Sequence, residues 1–425
     1  MKLQTLAEAE RYLEGFLNLE RAHAFDYERL GLARIRALLE ALGHPEVGLP
    51  CVHIAGSTGK GTVALALESL LLAAGQRVGT YTSPHLETWR ERFRVGGEPV
   101  SESQLDSTLR ELLPAAERLR RDPDLRPSFF DVSTALALLL FRELGVDAGV
   151  IEVGLGGRLD STNVIHPRVS VLTSVQLEHT DKLGSTLEKI AFEKAGIMRA
   201  RVPLVYGPLS SEALAVVMAR AVAEDTPLYE VSSEVVEESE RGLRLRLADG
   251  REIFAPVLGR HQATNLALAV SAAEQFLGRD VEADVLKRLG WLKLPARVER
   301  FGDLILDCAH TPDSARALRD TLQAIWPDRR WVLVVSISSD KDAARLLAEL
   351  APRTRAAVIT LAEPLRSVPP ETLAPLARAV GIETVETCDD PSRALARARA
   401  WLRPGEALVV TGSVYLAGAL RSSLT

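Results

Sequence analysis

The sequence predicts an α/β protein: a large N-terminal domain with a mostly parallel sheet, and a smaller α/β domain at the C-terminal end. Three observations predict it. From about residue 50 onward, short apolar runs of strand length alternate with amphipathic runs of helix length. One strand leads into a glycine-rich loop with a lysine at the start of a helix, an arrangement that cradles phosphate. A length of 425 residues is too great for one ordinary domain and comfortable for two.

Residues 6–45 read as two amphipathic helices, the second with Leu30, Ile35, Leu38, Leu39 and Leu42 as a stripe ending at Gly43. Cys51 to Ala55 is a strand, Thr62 to Ala74 a helix stopped by Gly75, and Val78 to Thr82 the next strand. Val132 to Leu144 is helical, and 148–153 and 169–175 are buried strands. A helix over Ser185–Met198, with Ser185 and Glu188 as a capping box, precedes a strand over 202–206. Leu243, Leu245 and Leu247 alternate with Arg244 and Arg246 before Asp249-Gly250, which predicts a β-hairpin region. Helical pattern resumes near Asn265. At Leu294-Pro295-Ala296-Arg297 the chain crosses into the second domain, giving 1–296 and 297–425. There, strands over 304–307, 332–337, 356–361, 382–386 and 407–411 alternate with helices, a Rossmann-like layout without the G-x-G-x-x-G fingerprint.

Composition narrows the function classes. A net charge of -6 argues against nucleic acid as the main partner and leaves room for small anions at a local positive site. Cys51, Cys308 and Cys388 have no metal spacing, which fits a reducing, cytoplasmic setting. No signal peptide and no membrane-spanning stretch is expected.

The chemistry concentrates at strand ends. In Gly56-Ser57-Thr58-Gly59-Lys60-Gly61-Thr62, glycines let backbone N–H groups approach phosphate, and Lys60 would meet the β- and γ-phosphates. This makes the first domain P-loop ATPase-like. The spacing departs from G-x-x-x-x-G-K-[ST], with Ile54 at the first glycine position and Gly61 between Lys60 and Thr62. Ser83, in Ser83-Pro84-His85, offers a hydroxyl to Mg²⁺, although on the tripeptide alone a helix cap or Ser-Pro turn is the better explanation. Glu152 is a carboxylate in an apolar run, so it needs a partner, either Arg158 or a metal. His179 follows another strand. Four strand ends with polar groups favour metal and phosphate binding, because ligands of parallel sheets bind at carboxyl ends. Lys194 lies on the apolar face of its helix. It either snorkels or has a lowered pKa, and a neutral amine could take up CO₂ to become an anionic metal ligand.

These motifs, in order, resemble those of the folylpolyglutamate synthase/dihydrofolate synthase family of the Mur-ligase superfamily. The resemblance runs over nearly the whole chain. It comprises the loop 56–62, Ser83-Pro84-His85-Leu86 with Glu91-Arg92, and Glu152-Val153-Gly154-Leu155-Gly156-Gly157-Arg158-Leu159-Asp160 with Thr162-Asn163. It continues through His179-Thr180, Glu193-Lys194-Ala195-Gly196-Ile197, His261-Gln262 with Asn265, Asp307 with Ala309-His310, Asp340-Lys341-Asp342 and Gly412-Ser413-Val414-Tyr415-Leu416.

The resemblance implies site roles. Gly56, Ser57, Thr58, Gly59, Lys60, Gly61 and Thr62 would hold ATP, with Asn265, Arg297, Asp307 and His310. Ser83 and Glu152 would ligate one Mg²⁺, and His179 with carbamylated Lys194 a second. Lys60, His179, Lys194 and Arg297 are the catalytic candidates. Ser128, Leu159, Asp160 and Ser161 match pterin-lining positions. Departures are Ser57-Thr58 for Thr-Asn, Glu178 for the Asp before His179, Ala296 for the Gly before Arg297, and Asp307-Cys308-Ala309-His310-Thr311-Pro312-Asp313 in the small domain.

The implied reaction is ATP-dependent addition of L-glutamate to a folate or dihydropteroate carboxylate through an acyl phosphate, with closure of the domains around ATP. A monomer is implied. Two other readings stand beside it: a Mur-type ligase joining an amino acid to a cell-wall nucleotide precursor, and a non-catalytic nucleotide-binding protein.

Overall fold

The computed structural model describes residues 31–425 together with Glu8, Tyr12, Leu13, Gly15 and Phe16. The first helix expected over 6–45 falls mainly outside the described residues. The second is α1, Ala33–Ala41, which buries Ile35, Leu38 and Leu39. By internal contacts the chain divides into two units. One takes Met1–Glu234, Leu247–Ile253 and Thr264–Gly290; the other takes Val235–Arg246, Phe254–Ala263 and Trp291–Thr425.

The strands of the first unit are β1 (Cys51–Ala55), β2 (Val78–Tyr81), β3 (Phe93–Val95), β4 (Glu98–Pro99), β5 (Ala148–Glu152), β6 (Val169–Leu172), β7 (Leu204–Tyr206) and β8 (Leu228–Glu230). They form one sheet in the order β4-β3-β2-β5-β1-β6-β7-β8. All pairings from β2 to β8 are parallel, and only β3 and β4 add antiparallel edges. A parallel sheet covered on both faces needs strands that are apolar throughout. β1 and β5 are buried at every position, and His53 and Glu152 are their polar exceptions.

Besides α1, the longer helices of this unit are α2 (Lys60–Ala73), α3 (Glu102–Arg120), α4 (Phe129–Glu143), α5 (Leu187–Ala195), α6 (Ser211–Glu224) and α7 (His261–Leu277), whose first residues belong to the second unit. Residues of α1, α3 and α4 pack with Cys51, Tyr81 and Ile151 in one apolar cluster. Residues of α5 and α6 pack with Ala55, Val153 and Leu172 in another. Several boundaries differ from the sequence reading, two of them with a clear local cause. α2 starts at Lys60, two residues earlier than Thr62, because Gly59 turns the chain directly into the helix. α5 is capped by Thr186, whose side chain accepts from Lys189 N, so the Ser185–Glu188 capping box does not form. Glu188 still lies in the first turn, where the helix dipole favours an acid.

Strands β9 (Ser233–Ser239), β10 (Gly242–Leu247) and β11 (Glu252–Ala255) form a three-stranded sheet in the order β11-β10-β9. Leu243, Leu245 and Leu247 are buried while Arg244 and Arg246 are exposed, as the alternation requires. The turn closes with Gly250 at φ +89° and Gly250 N donating to Leu247 O at 3.0 Å.

The second unit is built on β12 (Glu299–Phe301), β13 (Leu304–Leu306), β14 (Trp331–Val335), β15 (Thr354–Ile359), β16 (Thr384–Thr387) and β17 (Ala407–Thr411). Their order is β12-β13-β17-β14-β15-β16, parallel except for β12. Its helices are α8 (Pro312–Ile325), α9 (Ala343–Leu350), α10 (Pro370–Ala379), α11 (Pro391–Trp401) and α12 (Val414–Arg421). Among the described residues, no helix is long and apolar enough to cross a membrane.

Candidate active site

The carboxyl ends of β1, β2, β5 and β6, four adjacent strands, carry the polar groups singled out in the sequence. After β1 the loop enters α2 through Gly59 at φ +86°. Asn265 of α7 lies against Gly59 so closely that a Cβ there would collide with its side-chain amide. Thus Asn265 flanks the loop within the first unit. The loop is fastened to the chain that follows β6. Ser57 N donates to Ser174 O at 2.9 Å, and Thr58 N donates to Ser174 Oγ at 3.0 Å. Gln176 N donates to Ser57 Oγ at 2.9 Å, and Thr173 Oγ1 donates to Thr58 O at 2.6 Å. Lys60 folds back over the loop, its Nζ donating to Gly56 O at 3.0 Å. Thr62 is buried within the first turn of α2, and Gly61 lies between the two.

Glu152 ends β5. Its Oε2 accepts from Ser83 N at 3.1 Å and lies 3.9 Å from where a Cβ of Gly61 would stand. Ser83, Glu152 and the first turn of α2 therefore adjoin one another. Arg158 is committed elsewhere: its Nη2 meets Glu193 Oε1 at 2.8 Å, and its Nε donates to the same carboxylate at 3.0 Å.

Lys194 of α5 is buried, and its Nζ donates to Glu178 Oε1 at 2.7 Å. Burial pushes the Lys194 pKa down and Lys60 adds to this, while Glu178 opposes both. Burial alone would raise Glu178, but the charges of Lys194, Lys60 and His179 outweigh it and hold its carboxyl at about 2. Lys60, Glu178, His179 and Lys194 thus form one electrostatic group. His179 sits in the left-handed region at φ +45° and heads the short helix Thr180–Leu183. In the sequence Glu178 stands out only as a replacement for Asp. Its partner lies 16 residues away, so no local pattern marks the pair.

The residues matched to a pterin site form a second polar cluster. Ser128 caps α4, and its hydroxyl donates to Asp131 Oδ2 at 2.7 Å. Ser161 Oγ donates to the other Asp131 oxygen at 2.7 Å. Asp160 Oδ2 accepts from Gly154 N at 3.1 Å and Leu155 N at 2.9 Å. Burial pushes the Asp160 pKa up to about 6, against the lowering effect of its hydrogen bonds. Leu159 is partly buried against the α5–α6 cluster. Asn163 bridges the same loop to α5, its Nδ2 donating to Arg158 O at 2.9 Å and Gly196 O at 3.1 Å.

In the second unit, Arg297 lies between two non-glycine residues of positive φ, Ala296 at +50° and Val298 at +51°. The glycine that Ala296 replaces would take this conformation without strain. Asp307 is buried and accepts from Val298 N at 2.9 Å and Ala309 N at 2.7 Å. Burial raises its pKa, and Arg297 with the two amides counters part of that rise. His310 Nδ1 donates to Cys308 O at 2.9 Å.

Among the described residues no three His, Cys, Asp or Glu side chains form a ready-made cation cage. Mg²⁺ does not require one. It binds through one or two carboxylates completed by phosphate oxygens and water, and the hard oxygens of Ser83 and Glu152 beside the loop fit that pattern. Lys194 as an ammonium has no lone pair to offer. Its deprotonated CO₂ adduct would offer the hard anionic oxygen that Mg²⁺ prefers, beside His179.

Residues 296–414 match the family described as Mur ligase, glutamate ligase domain. The dihydrofolate synthase/folylpolyglutamate synthase of Mycobacterium tuberculosis is 34% identical over 92% of this chain and 89% of its own length. A probable bifunctional folylpolyglutamate synthase/dihydropteroate synthase of Haloferax volcanii is 35% identical over 94% of this chain, which spans 50% of that relative. The crystal structure of the M. tuberculosis folylpolyglutamate synthase complexed with ADP and AMPPCP superposes with a TM-score of 0.91 at 32% identity, covering 99% of this chain and 98% of that one.

Proposed function

The chain belongs to the folylpolyglutamate synthase/dihydrofolate synthase family of Mur-type ligases, and we propose that it joins L-glutamate to a folate or dihydropteroate carboxylate at the expense of ATP. The observation that carries this is the meeting of the Lys60 loop, Ser83 with Glu152, and the Glu178–Lys194 pair at the ends of adjacent strands. The acceptor carboxylate attacks the γ-phosphate, giving an acyl phosphate and ADP. The amine of L-glutamate then displaces phosphate. Two anions must approach, so cationic and N–H groups have to offset their repulsion. Lys60, the loop amides and the α2 N-terminus supply these groups in the first unit. Arg297, Asp307 and His310 are the proposed nucleotide residues of the second unit, and Asn265 that of α7.

Bound Mg²⁺ would neutralise phosphate charge in phosphoryl transfer. Ser83 and Glu152 would hold one ion. His179 and carbamylated Lys194 would serve the second, with burial of Lys194 favouring the neutral amine that carbamylation needs. Trapping of labelled CO₂ on Lys194, read by carbon NMR, tests this; a Lys194 that never takes up label rejects it. Ser128, Leu159, Asp160 and Ser161 shape the proposed pterin site. Residues 1–296 and 297–425 are the proposed ligase domains, acting as a cytoplasmic monomer. ADP release with dihydropteroate, tetrahydrofolate and a cell-wall nucleotide precursor as acceptors tests the assignment. Release that requires L-glutamate and a folate-type acceptor is expected. Release only with the cell-wall precursor, or none with any acceptor, would reject it.

A further inference from the structure

His53 lies in β1, three residues before Gly56, and is fully buried. Its Nε2 is 2.9 Å from Thr162 Oγ1. The Thr162 hydroxyl has a single proton and donates it to Asp160 Oδ1. His53 Nε2–H must therefore be the donor to Thr162. Nδ1 is left as an acceptor without a hydrogen-bond partner among the described residues. Burial, helped by the Arg199 charge, pushes the ring's pKa down to about 3, so it stays neutral. Asp160 also takes Thr162 N at 3.0 Å, along with Gly154 N and Leu155 N. Four donors fill the lone-pair sites of this carboxylate. Asp160 is thus saturated by its own loop, and its oxygens set backbone rather than reach for a ligand. A buried imidazole with an unmet acceptor is costly, and the chain places it in the strand that feeds the phosphate loop.

We propose that His53 is a positioning residue for the acceptor substrate: through Thr162 and Asp160 it fixes the 154–162 loop to the same strand that carries the phosphate loop. This rests on the reading that Leu159, Asp160 and Ser161 line the pterin site. The donors converge on Asp160: His53 donates to Thr162 and Thr162 to Asp160 from one side, and the amides of Gly154 and Leu155 donate to it from the other. Loss of the Thr162 hydroxyl leaves Asp160 one donor short, and loss of His53 leaves the Thr162 oxygen without its donor. Either unties the loop from β1, while the phosphate loop keeps its own anchors at Ser174 and Gln176.

The test is steady-state ADP release by full-length His53→Leu, His53→Gln, Thr162→Val, Thr162→Ser and Leu159→Ala variants. Dihydropteroate and tetrahydrofolate serve as acceptors at saturating L-glutamate. His53→Leu and Thr162→Val are expected to raise the acceptor KM roughly tenfold, the scale of one lost buried hydrogen bond. The KM for ATP should stay within about twofold, as for a loss confined to one substrate's binding. Thr162→Ser keeps the hydroxyl and His53→Gln keeps an N–H donor, so both should restore the acceptor KM. An acceptor KM unmoved in His53→Leu and Thr162→Val, but raised in Leu159→Ala, overturns the proposal. Parallel rises in both KM values overturn it too, since a general structural loss would do that. An acceptor KM unmoved in all variants overturns the pterin-loop reading itself.

Discussion

Lys60 was legible from sequence because a glycine-rich loop, a lysine and a helix start are neighbours in the chain. Its partners were not. The loop is held by Thr173, Ser174 and Gln176, each more than a hundred residues away, and such pairs leave no periodic trace. The position of Lys60 over the loop predicts that Lys60→Ala lowers kcat by at least about 10²-fold, the scale for removing one preorganised donor. Single-turnover ADP formation measures this, and full activity would reject the role. His53 makes a second residue-scale prediction. Its folded pKa of about 3 lies below the ordinary 6.5, so between those values the unfolded chain binds a proton that the folded chain refuses. Stability is present above pH 6.5 and is lost as pH falls toward 3, by up to about 1.4 kcal/mol per pH unit. Urea unfolding at pH 7 and pH 5 should show a smaller loss in His53→Gln than in the parent chain; equal losses would show that His53 is not the group responsible.

The central strands β1, β5, β6, β14, β15 and β17 are mostly apolar runs buried along their length, which is why the run of apolar residues located them. The elements that escaped it had mixed signals. β3 and β4 are three and two residues long, and α3 carries Pro114 inside it. A short edge strand and an internal proline both blunt the pattern on which such readings depend. The cap of α5 lies one residue beyond the expected Ser185 because Ser185 and Thr186 are both good caps, and backbone geometry selects the second. Thr186→Ala should therefore destabilise the protein by about 1 kcal/mol, and Ser185→Ala by only a few tenths. Denaturant midpoints compare them directly, and the reverse order would restore the Ser185 cap.

At the scale of the molecule, two parallel sheets each gather polar residues at loops that follow their strands, the usual place for ligands in such sheets. In the first unit this collects a phosphate loop, a hard-oxygen pair and an ion-paired lysine around four neighbouring strand ends. That order of motifs was readable in the chain, whereas the interlocked hydrogen bonds of Asp131, Asp160 and Thr162 were not. The central claim is that this site activates a carboxylate as an acyl phosphate before the amine arrives. The most direct measurement uses an acceptor whose carboxylate carries heavy oxygen, turned over with ATP and L-glutamate, and reads the mass of the released phosphate. Transfer of one labelled oxygen into phosphate is predicted, because the attacking carboxylate oxygen leaves with it. Unlabelled phosphate would contradict the account.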